Sequence, residues 1–183
     1  MPRFVAFFRG INVGKAKRIA MADLRALLAS SSLGYQNVQT LLNSGNAVFD
    51  GPASTSAAQH ALRIRAAVAS ELGVDALVIV KSAKDIAAVV AGNKLAAIAT
   101  DPSHLLVALT HDAKSLAALA SLAQTDWGAE QVHVGPHAAY VWCANGILES
   151  KAAVALLKVL ASSGTTRNWA TVEKLHHMLK AAS

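Results

Sequence analysis

The order of the apolar patterns along the chain constrains its fold more than any single motif does. Short continuous apolar runs, typical of buried strands, alternate with segments whose apolar residues recur at helical spacing. In the first half the patterns predict strands at 3–8, 37–42, 46–50 and 76–80, and helices at 21–30 and 57–72. The resulting order of strand, helix, strand, strand, helix, strand is that of a ferredoxin-like, split βαβ unit.

The second half of the chain repeats this order without repeating the residues. A helix that starts at Ser82 leads out of the first half, and strands follow at 104–109, 131–134 and 139–142. Further helices start at Asp112 and Ser150, and a helix over about 168–181 is expected to replace the final strand. We therefore predict an α+β protein of two packed ferredoxin-like (α/β plait) subdomains, 1–92 and 93–183, with a C-terminal helix.

Composition and charge narrow the classes of function. The chain of 183 residues is 54% hydrophobic and 15% charged, which is typical of a globular protein. Its 17 basic and 11 acidic residues give a net charge of +6, which suits an anionic small molecule or a nucleic acid. No apolar stretch approaches the ~20 residues of a membrane span, and no signal peptide is evident. We expect a cytoplasmic protein with no membrane partner.

A glycine-rich basic loop, 9-RGINVGKAKR-18, follows the first strand. It is not a P-loop, because only three residues separate Gly10 from Gly14 and alanine follows Lys15 where a hydroxyl residue is required. The dinucleotide fingerprint is also absent, since Ile11 and Asn12 interrupt its first glycine pair. Two interpretations remain open, an anion site formed by exposed main-chain N–H groups and bases, or a tight turn with solvated lysines.

Two further segments combine turn or helix-start residues with polar side chains. Residues 43-NSGN-46 form a turn signal between two strands, and a simple hairpin turn is the alternative to a ligand site. Residues 165-TTRNW-169 precede the predicted last helix, where Thr166 or Asn168 can act as the N-cap and Arg167 can bind phosphate or carboxylate. The alternative for this segment is a capped helix with Trp169 in the core.

Conventional catalytic and metal sites find little support in the sequence. The single cysteine, Cys143, excludes an intrachain disulfide and a multi-cysteine metal cluster, and no His and Asn or Asp signature marks it as a nucleophile. His176 and His177 diverge by ~100° on a helix, so they do not chelate one ion. We therefore predict neither a metal site nor a cofactor, and no catalytic residue is assigned.

Several motifs together resemble one protein family. They are RGINVG at 9–14, Met21 with Leu24 and Arg25, SGN at 44–46 with Phe49, and TTRNW at 165–169 with Thr171, Val172 and Lys174. In this order they resemble the DUF1697 family of uncharacterised bacterial proteins, and the resemblance spans nearly the whole chain. It implies a two-subdomain α/β-plait fold and brings no activity, cofactor or catalytic residues. Lys15 stands where a further glycine is expected, which makes the loop more basic than the family pattern.

Three functions remain open from the sequence. The first is a binding module for an anionic, phosphate-bearing ligand, and the second is an enzyme acting on a phosphorylated or carboxylated metabolite between the subdomains. The third is an interaction or scaffold protein. The predicted ligand-binding residues come from the three segments and are Arg9, Asn12, Lys15, Lys17, Arg18, Asn43, Ser44, Asn46, Thr165, Thr166, Arg167, Asn168 and Trp169.

Overall fold

The computed structural model describes residues 1–181, and the chain forms two compact units. The first comprises Met1–Lys84 together with the described residues from His177 onward, and the second comprises Asp85–His176. The boundary predicted at residues 92 and 93 stays a prediction. Within the described part of the chain, no helix is both long and apolar enough to cross a membrane.

The first unit has the predicted ferredoxin-like order. Its elements are β1 (Arg3–Phe8), α1 (Met21–Ala29), β2 (Gln36–Leu41), β3 (Asn46–Asp50), α2 (Ala57–Leu72) and β4 (Val78–Ser82). The strands form an antiparallel sheet in the order β2-β3-β1-β4. In this sheet Phe7 lies opposite Asn46 and Phe8 lies opposite Val78. The end of β1, the β2–β3 turn and the start of β4 therefore share one end of the sheet.

Local sequence signals explain where the helices of this unit pack and stop. Ser56 and Gln59 form a capping box at the start of α2, and Gly73 ends the helix in the left-handed conformation. Alternate residues of β1 point to the same face of the sheet, where they pack with apolar residues of α1 and α2. Each large side chain fully buried in this way contributes about 1.5–3 kcal/mol.

A buried histidine lies within an aromatic cluster of the first unit. His60 is fully buried, its Nδ1 lies 2.8 Å from the hydroxyl of Tyr35, and its ring centroid lies 4.6 Å from that of Phe4. Burial lowers the pKa of His60, the main-chain carbonyl of Pro52 opposes this shift, and the charge of Arg63 adds to it. His60 is therefore held in its neutral form in the folded protein at neutral pH.

The second unit repeats the topology. The helix α3 (Ala83–Ala91) leads into it. The elements that follow are β5 (Leu105–Thr110), α4 (Ala113–Ala117), β6 (Gln131–Val134), β7 (Ala139–Trp142), α5 (Lys151–Leu160), β8 (Gly164–Asn168) and α6 (Trp169–Lys180), and the part of α6 from His177 belongs to the first unit. The sheet order is β6-β7-β5-β8, equivalent to that of the first unit. The buried hydroxyl of Tyr140 donates a hydrogen bond of 2.5 Å to the carbonyl of Val89 and so ties β7 to α3.

The expectation that a helix replaces the final strand is wrong. Residues Gly164–Asn168 form β8, which pairs antiparallel with β5 and places Thr166 opposite Ala108. The β-branched threonines favour an extended chain, and pairing with the fully buried β5 outweighs their capping tendency. The helix α6 begins only at Trp169, and Asn168 caps it, since its Oδ1 accepts a 2.9 Å bond from the N–H of Thr171.

Because His60 is buried in its neutral form, the free energy of unfolding is predicted to depend on pH. The unfolded chain binds the proton with an ordinary pKa near 6.5, whereas the folded pKa is lower. Stability is therefore full above about pH 6.5 and falls as the pH drops toward the folded pKa, by about 1.4 kcal/mol for each unit of pKa difference. Urea unfolding at pH 7.5 to 5 measures this slope, which His60→Phe is expected to reduce.

The matched control is His137→Gln, because His137 is exposed on the surface. His133 also has a pKa lowered by burial and by Lys94, so part of the slope is expected to remain in the His60 variant. An unchanged slope in His60→Phe would contradict the assignment.

Candidate functional site

The β1–α1 loop (residues 9–20) and the β2–β3 turn (residues 42–45) contact each other at one end of the first sheet. The N–H of Phe8 donates to the carbonyl of Gly45 at 2.9 Å. Gly45 has a φ of +86°, and a Cβ atom there would lie 2.6 Å from Cδ1 of Ile11 and 2.8 Å from Cβ of Phe8. Only glycine allows this approach, so two of the three predicted segments come together.

Asn12 holds the two segments in place. Its Nδ2 donates 2.8 Å hydrogen bonds to the carbonyls of Ile19 and Asn43, and its Oδ1 accepts a 2.8 Å bond from the N–H of Ile19. Its main-chain N–H donates to the carbonyl of Lys17 at 3.0 Å. These bonds close the loop on itself and join it to the turn. Because both Nδ2 hydrogens are used within the chain, Asn12 positions the site.

A depression of about 350 Å³ opens beside this closed loop. The residues that line it are Asn12, Arg18, Ile19, Ala20, Met21 and Asn43. The helix α1 starts at this depression, with Ala20 as an N-cap that makes no side-chain hydrogen bond. By contrast α2, α4 and α5 are capped by Ser56, Asp112 and Ser150, respectively. The first N–H groups of an α-helix have no acceptor within the helix, and at α1 the residue at the N-cap position supplies none.

One of the residues that line the depression, Arg18, is basic, and two further bases lie on the same loop. Lys15, Lys17 and Arg18 are exposed, and Arg18 donates a 3.1 Å bond to the carbonyl of Gly14. Two carboxylates lie in the neighbourhood. Asp23 is exposed in the first turn of α1 but does not line the depression. The hydrogen bond from Arg65 lowers the pKa of Asp75, with a smaller contribution from Lys17, so Asp75 remains ionised near the loop.

The NSGN residues make hydrogen bonds that stabilise the β2–β3 turn. Asn43 accepts the bond from Asn12 through its main-chain carbonyl. Asn46 is fully buried, and its Nδ2 donates to the carbonyl of Leu41 at 2.8 Å and to the hydroxyl of Ser44 at 3.4 Å. Asn46 therefore stabilises the hairpin, which is the structural alternative considered for this segment. Direct ligand contact by Asn43, Ser44 or Asn46 stays a prediction.

The TTRNW segment lies in the second unit, on β8 and the first residue of α6. Arg167 donates to the hydroxyl of Thr165 at 2.9 Å and to the carbonyl of Thr166 at 2.8 Å. Burial lowers the pKa of Arg167 to about 10, although part of the residue reaches the surface. Asn168 caps α6, and Trp169 is 7% exposed and belongs to the core, as the alternative interpretation expected. A ligand role for these five residues stays a prediction.

A carboxylate at the start of α5 is a feature that the sequence analysis missed. Glu130 accepts hydrogen bonds from the hydroxyl of Ser150 and, at 3.2 Å, from the N–H of Lys151. An internal anion thus occupies the N-terminus of α5 and offsets the unfavourable position of Lys151. Cys143 lies nearby and is fully buried, and burial raises the pKa of its thiol. A buried thiol of this kind is a poor nucleophile.

Comparison with known proteins assigns the family. The family model described as a protein of unknown function (DUF1697) matches residues 1–140. The chain belongs to the DUF1697 family. The β1–α1 loop and the NSGN turn both lie within the residues that match this family.

A solved structure agrees with the fold of this DUF1697 protein. A conserved bacterial protein from Streptococcus pneumoniae superposes with a TM-score of 0.77 at 25% sequence identity, over 97% of this chain and 98% of that chain. A search of curated proteins found no relative. The comparisons therefore support the two-sheet α+β architecture and assign no activity.

Removing the Asn12 side chain is expected to open the loop. Asn12 has a φ of +56°, so Asn12→Gly removes the hydrogen bonds without forcing a new side chain into the left-handed region. We expect a loss of about 2–4 kcal/mol in the free energy of unfolding, because two carbonyls and one N–H lose their partner and glycine adds unfolded-state entropy. Urea denaturation measures the change.

Asn43→Ala is the matched control, since Asn43 takes part through its main chain. Its cost is expected to stay within about 0.5 kcal/mol, as for an exposed turn position. Equal losses in the two variants would show that Asn12 does not join the segments.

Proposed function

We propose that this DUF1697 protein is a binding module for a phosphate-bearing anion, which it holds in the depression at the start of α1. The observation that carries the proposal is the helix start without a side-chain cap at Ala20, which opens onto a depression lined by Arg18. Helix N-termini favour anions because their free N–H groups and the helix dipole both attract negative charge. The cytoplasmic location predicted from the sequence is part of this proposal.

The backbone of the preceding loop supports the same role. Gly10, Asn12, Gly14 and Lys17 all have positive φ angles, between 50° and 71°. Left-handed residues of this kind occur in main-chain concavities whose N–H groups bind anions. Asn12 closes this loop on itself and joins it to the β2–β3 turn, so the loop is ordered before a ligand binds and little conformational entropy is lost on binding.

The side chains divide into two roles. Arg18 lines the depression and supplies a planar guanidinium suited to two phosphate oxygens. Lys15 and Lys17 are exposed and act at longer range by raising the local positive potential. The hydrogen bond between Asn12 and Asn43 holds the loop against the turn. The proposal gives no residue a catalytic role.

Binding of inorganic phosphate to two charge variants tests the site. Arg18→Gln removes a charged donor and is expected to weaken binding by about tenfold or more. Asp23→Asn removes a negative charge from the first turn of α1 and is expected to tighten binding by about twofold to fivefold. Isothermal titration calorimetry at low ionic strength measures both, with Lys158→Gln on the exposed face of α5 as the charge-matched control.

Changes in opposite directions at positions 18 and 23, with no change at position 158, would support the site. Equal weakening in Arg18→Gln and Lys158→Gln would show non-specific attraction to a basic protein. Salt-dependent retention on nucleic acid, lost when Lys15, Lys17 and Arg18 are neutralised, would instead identify a nucleic acid as the partner.

A further inference from the structure

We propose that the exposed face of α5 is a docking surface for a helix of another protein, one that carries acidic residues at seven-residue spacing beside aliphatic residues. This α5 face consists of Lys151, Val154, Leu157 and Lys158, all of which are exposed. It belongs to the second unit, whereas the depression at α1 belongs to the first. The inference therefore goes beyond the proposed function and does not depend on it.

The helix α5 is apolar on both its inner and its outer sides. Its inner side packs in the core of the second unit through Ala152, Ala153, Leu156 and Leu160. On the outer side Val154 is 63% exposed and Leu157 is 40% exposed. A helix at a protein surface ordinarily presents polar residues to solvent, and a helix that is apolar all round is ordinarily buried. The outer side of α5 is therefore typical of a helix that packs against a further element.

The equivalent helix of the first unit has a more polar outer side. α2 and α5 hold the same place in the order of elements, since each lies between the third and fourth strands of its unit. The exposed residues of α2 include Arg63, Arg65 and Glu71, which carry charges of both signs, alongside Leu62. By contrast α5 contains no acidic residue, and its charged residues are two lysines.

Helical spacing places the lysines and the aliphatic residues on one face. Lys151 and Lys158 are seven residues apart, so they lie within ~20° of each other around the helix axis and about 10 Å apart along it. Val154 is three residues from the first lysine and four from the second, and Leu157 is three residues beyond Val154. Side chains at these spacings are neighbours on a helix surface. Val154 and Leu157 thus form a short aliphatic stripe with both lysines along one edge.

The charge of the α5 face indicates the chemistry of its partner. Within residues 1–181 neither lysine of this face takes part in an ion pair. The nearby carboxylate of Glu130 accepts bonds from the hydroxyl of Ser150 and the main-chain N–H of Lys151, and Glu149 precedes the helix. Charges that flank an apolar stripe at seven-residue spacing set the choice and orientation of a facing helix. Two lysines at this spacing match two carboxylates at the same spacing.

A second copy of this chain does not supply such a partner. No two acidic residues of the sequence are seven residues apart, so none of its helices presents carboxylates at the spacing of the two lysines. Two α5 helices packed face to face would also bring four lysines together, and like charges across an interface oppose association. The charge of the α5 face therefore favours an acidic helix of a different protein.

Two synthetic amphipathic peptides test the inference. Each has about 18 residues, which is long enough to form a helix, and both carry the same leucine stripe. One peptide has glutamate and the other has lysine at the flanking positions with seven-residue spacing. Each is titrated into the isotope-labelled full chain and followed by NMR. The glutamate peptide is expected to shift the amides of residues 148–160 saturably and to bind about tenfold more tightly than the lysine peptide.

The double variant Lys151→Glu with Lys158→Glu is expected to reverse this preference, because it keeps the aliphatic stripe and inverts its flanking charge. The matched control is Lys174→Glu with Lys180→Glu, which changes the net charge by the same amount at exposed positions of α6. That control is expected to keep the preference for the glutamate peptide. The comparison of the two peptides on the unchanged chain remains decisive if a variant fails to fold.

The aliphatic stripe has a test of its own. The double variant Val154→Ser with Leu157→Ser removes apolar area that the peptide would cover, so it is expected to weaken binding of the glutamate peptide by about tenfold or more. Because both side chains are exposed, the variant is expected to fold, and urea denaturation measures whether it does.

Several outcomes would overturn the inference. Equal binding of the two peptides, equally tight binding of a scrambled glutamate peptide, or saturable shifts only outside residues 148–160 would each show that the α5 face does not recognise an acidic helix. Co-sedimentation with vesicles of phosphatidylcholine and phosphatidylglycerol, lost in the serine variant and without peptide binding, would identify an anionic membrane surface instead. A dimer in sedimentation equilibrium that the serine variant dissociates would identify a second copy as the occupant.

Discussion

The side-chain amide of Asn12 is the interaction on which the candidate site depends. One carboxamide closes the loop between residues 12 and 19 and reaches a turn that lies 31 residues further along the chain. Asparagine suits this position for two reasons, since it tolerates a positive φ and carries donors and an acceptor on a short side chain. Because Ile19 lies between Arg18 and the start of α1, this closure also positions both beside the depression.

The ferredoxin-like topology makes the closure possible. Because β1 and β2 run in the same direction with β3 between them, the β1–α1 loop and the β2–β3 turn meet at one end of the sheet. The two units differ in which groups lie at a helix N-terminus that has a basic residue nearby. In the second unit Glu130 supplies a negative charge to the N-terminus of α5. At α1 no side chain caps the helix, and Arg18 lines the adjoining depression. This difference is the physical basis for proposing the anion site at α1.

Much of the fold could be predicted, because many of its strands and helices follow the spacing of apolar residues along the chain. The limits of β1, α2 and β7 are those expected from their apolar patterns. β8 could not be predicted in this way, because its residues are mostly polar and only pairing with β5 stabilises them as a strand. The sequence could not predict the structural roles of Asn12 and Asn46, whose amides donate to carbonyls that only the folded chain brings near. Their direct contact with a ligand stays a prediction.

An NMR titration of the backbone amides with inorganic phosphate tests the proposed anion site most directly. An anion site at the start of α1 predicts saturable shifts for the amides of residues 20–23, with much smaller shifts for residues 150–152, where Glu130 already supplies the carboxylate. Saturable shifts at the start of α5 with none at α1, or shifts that grow linearly across the whole chain without saturation, would contradict it.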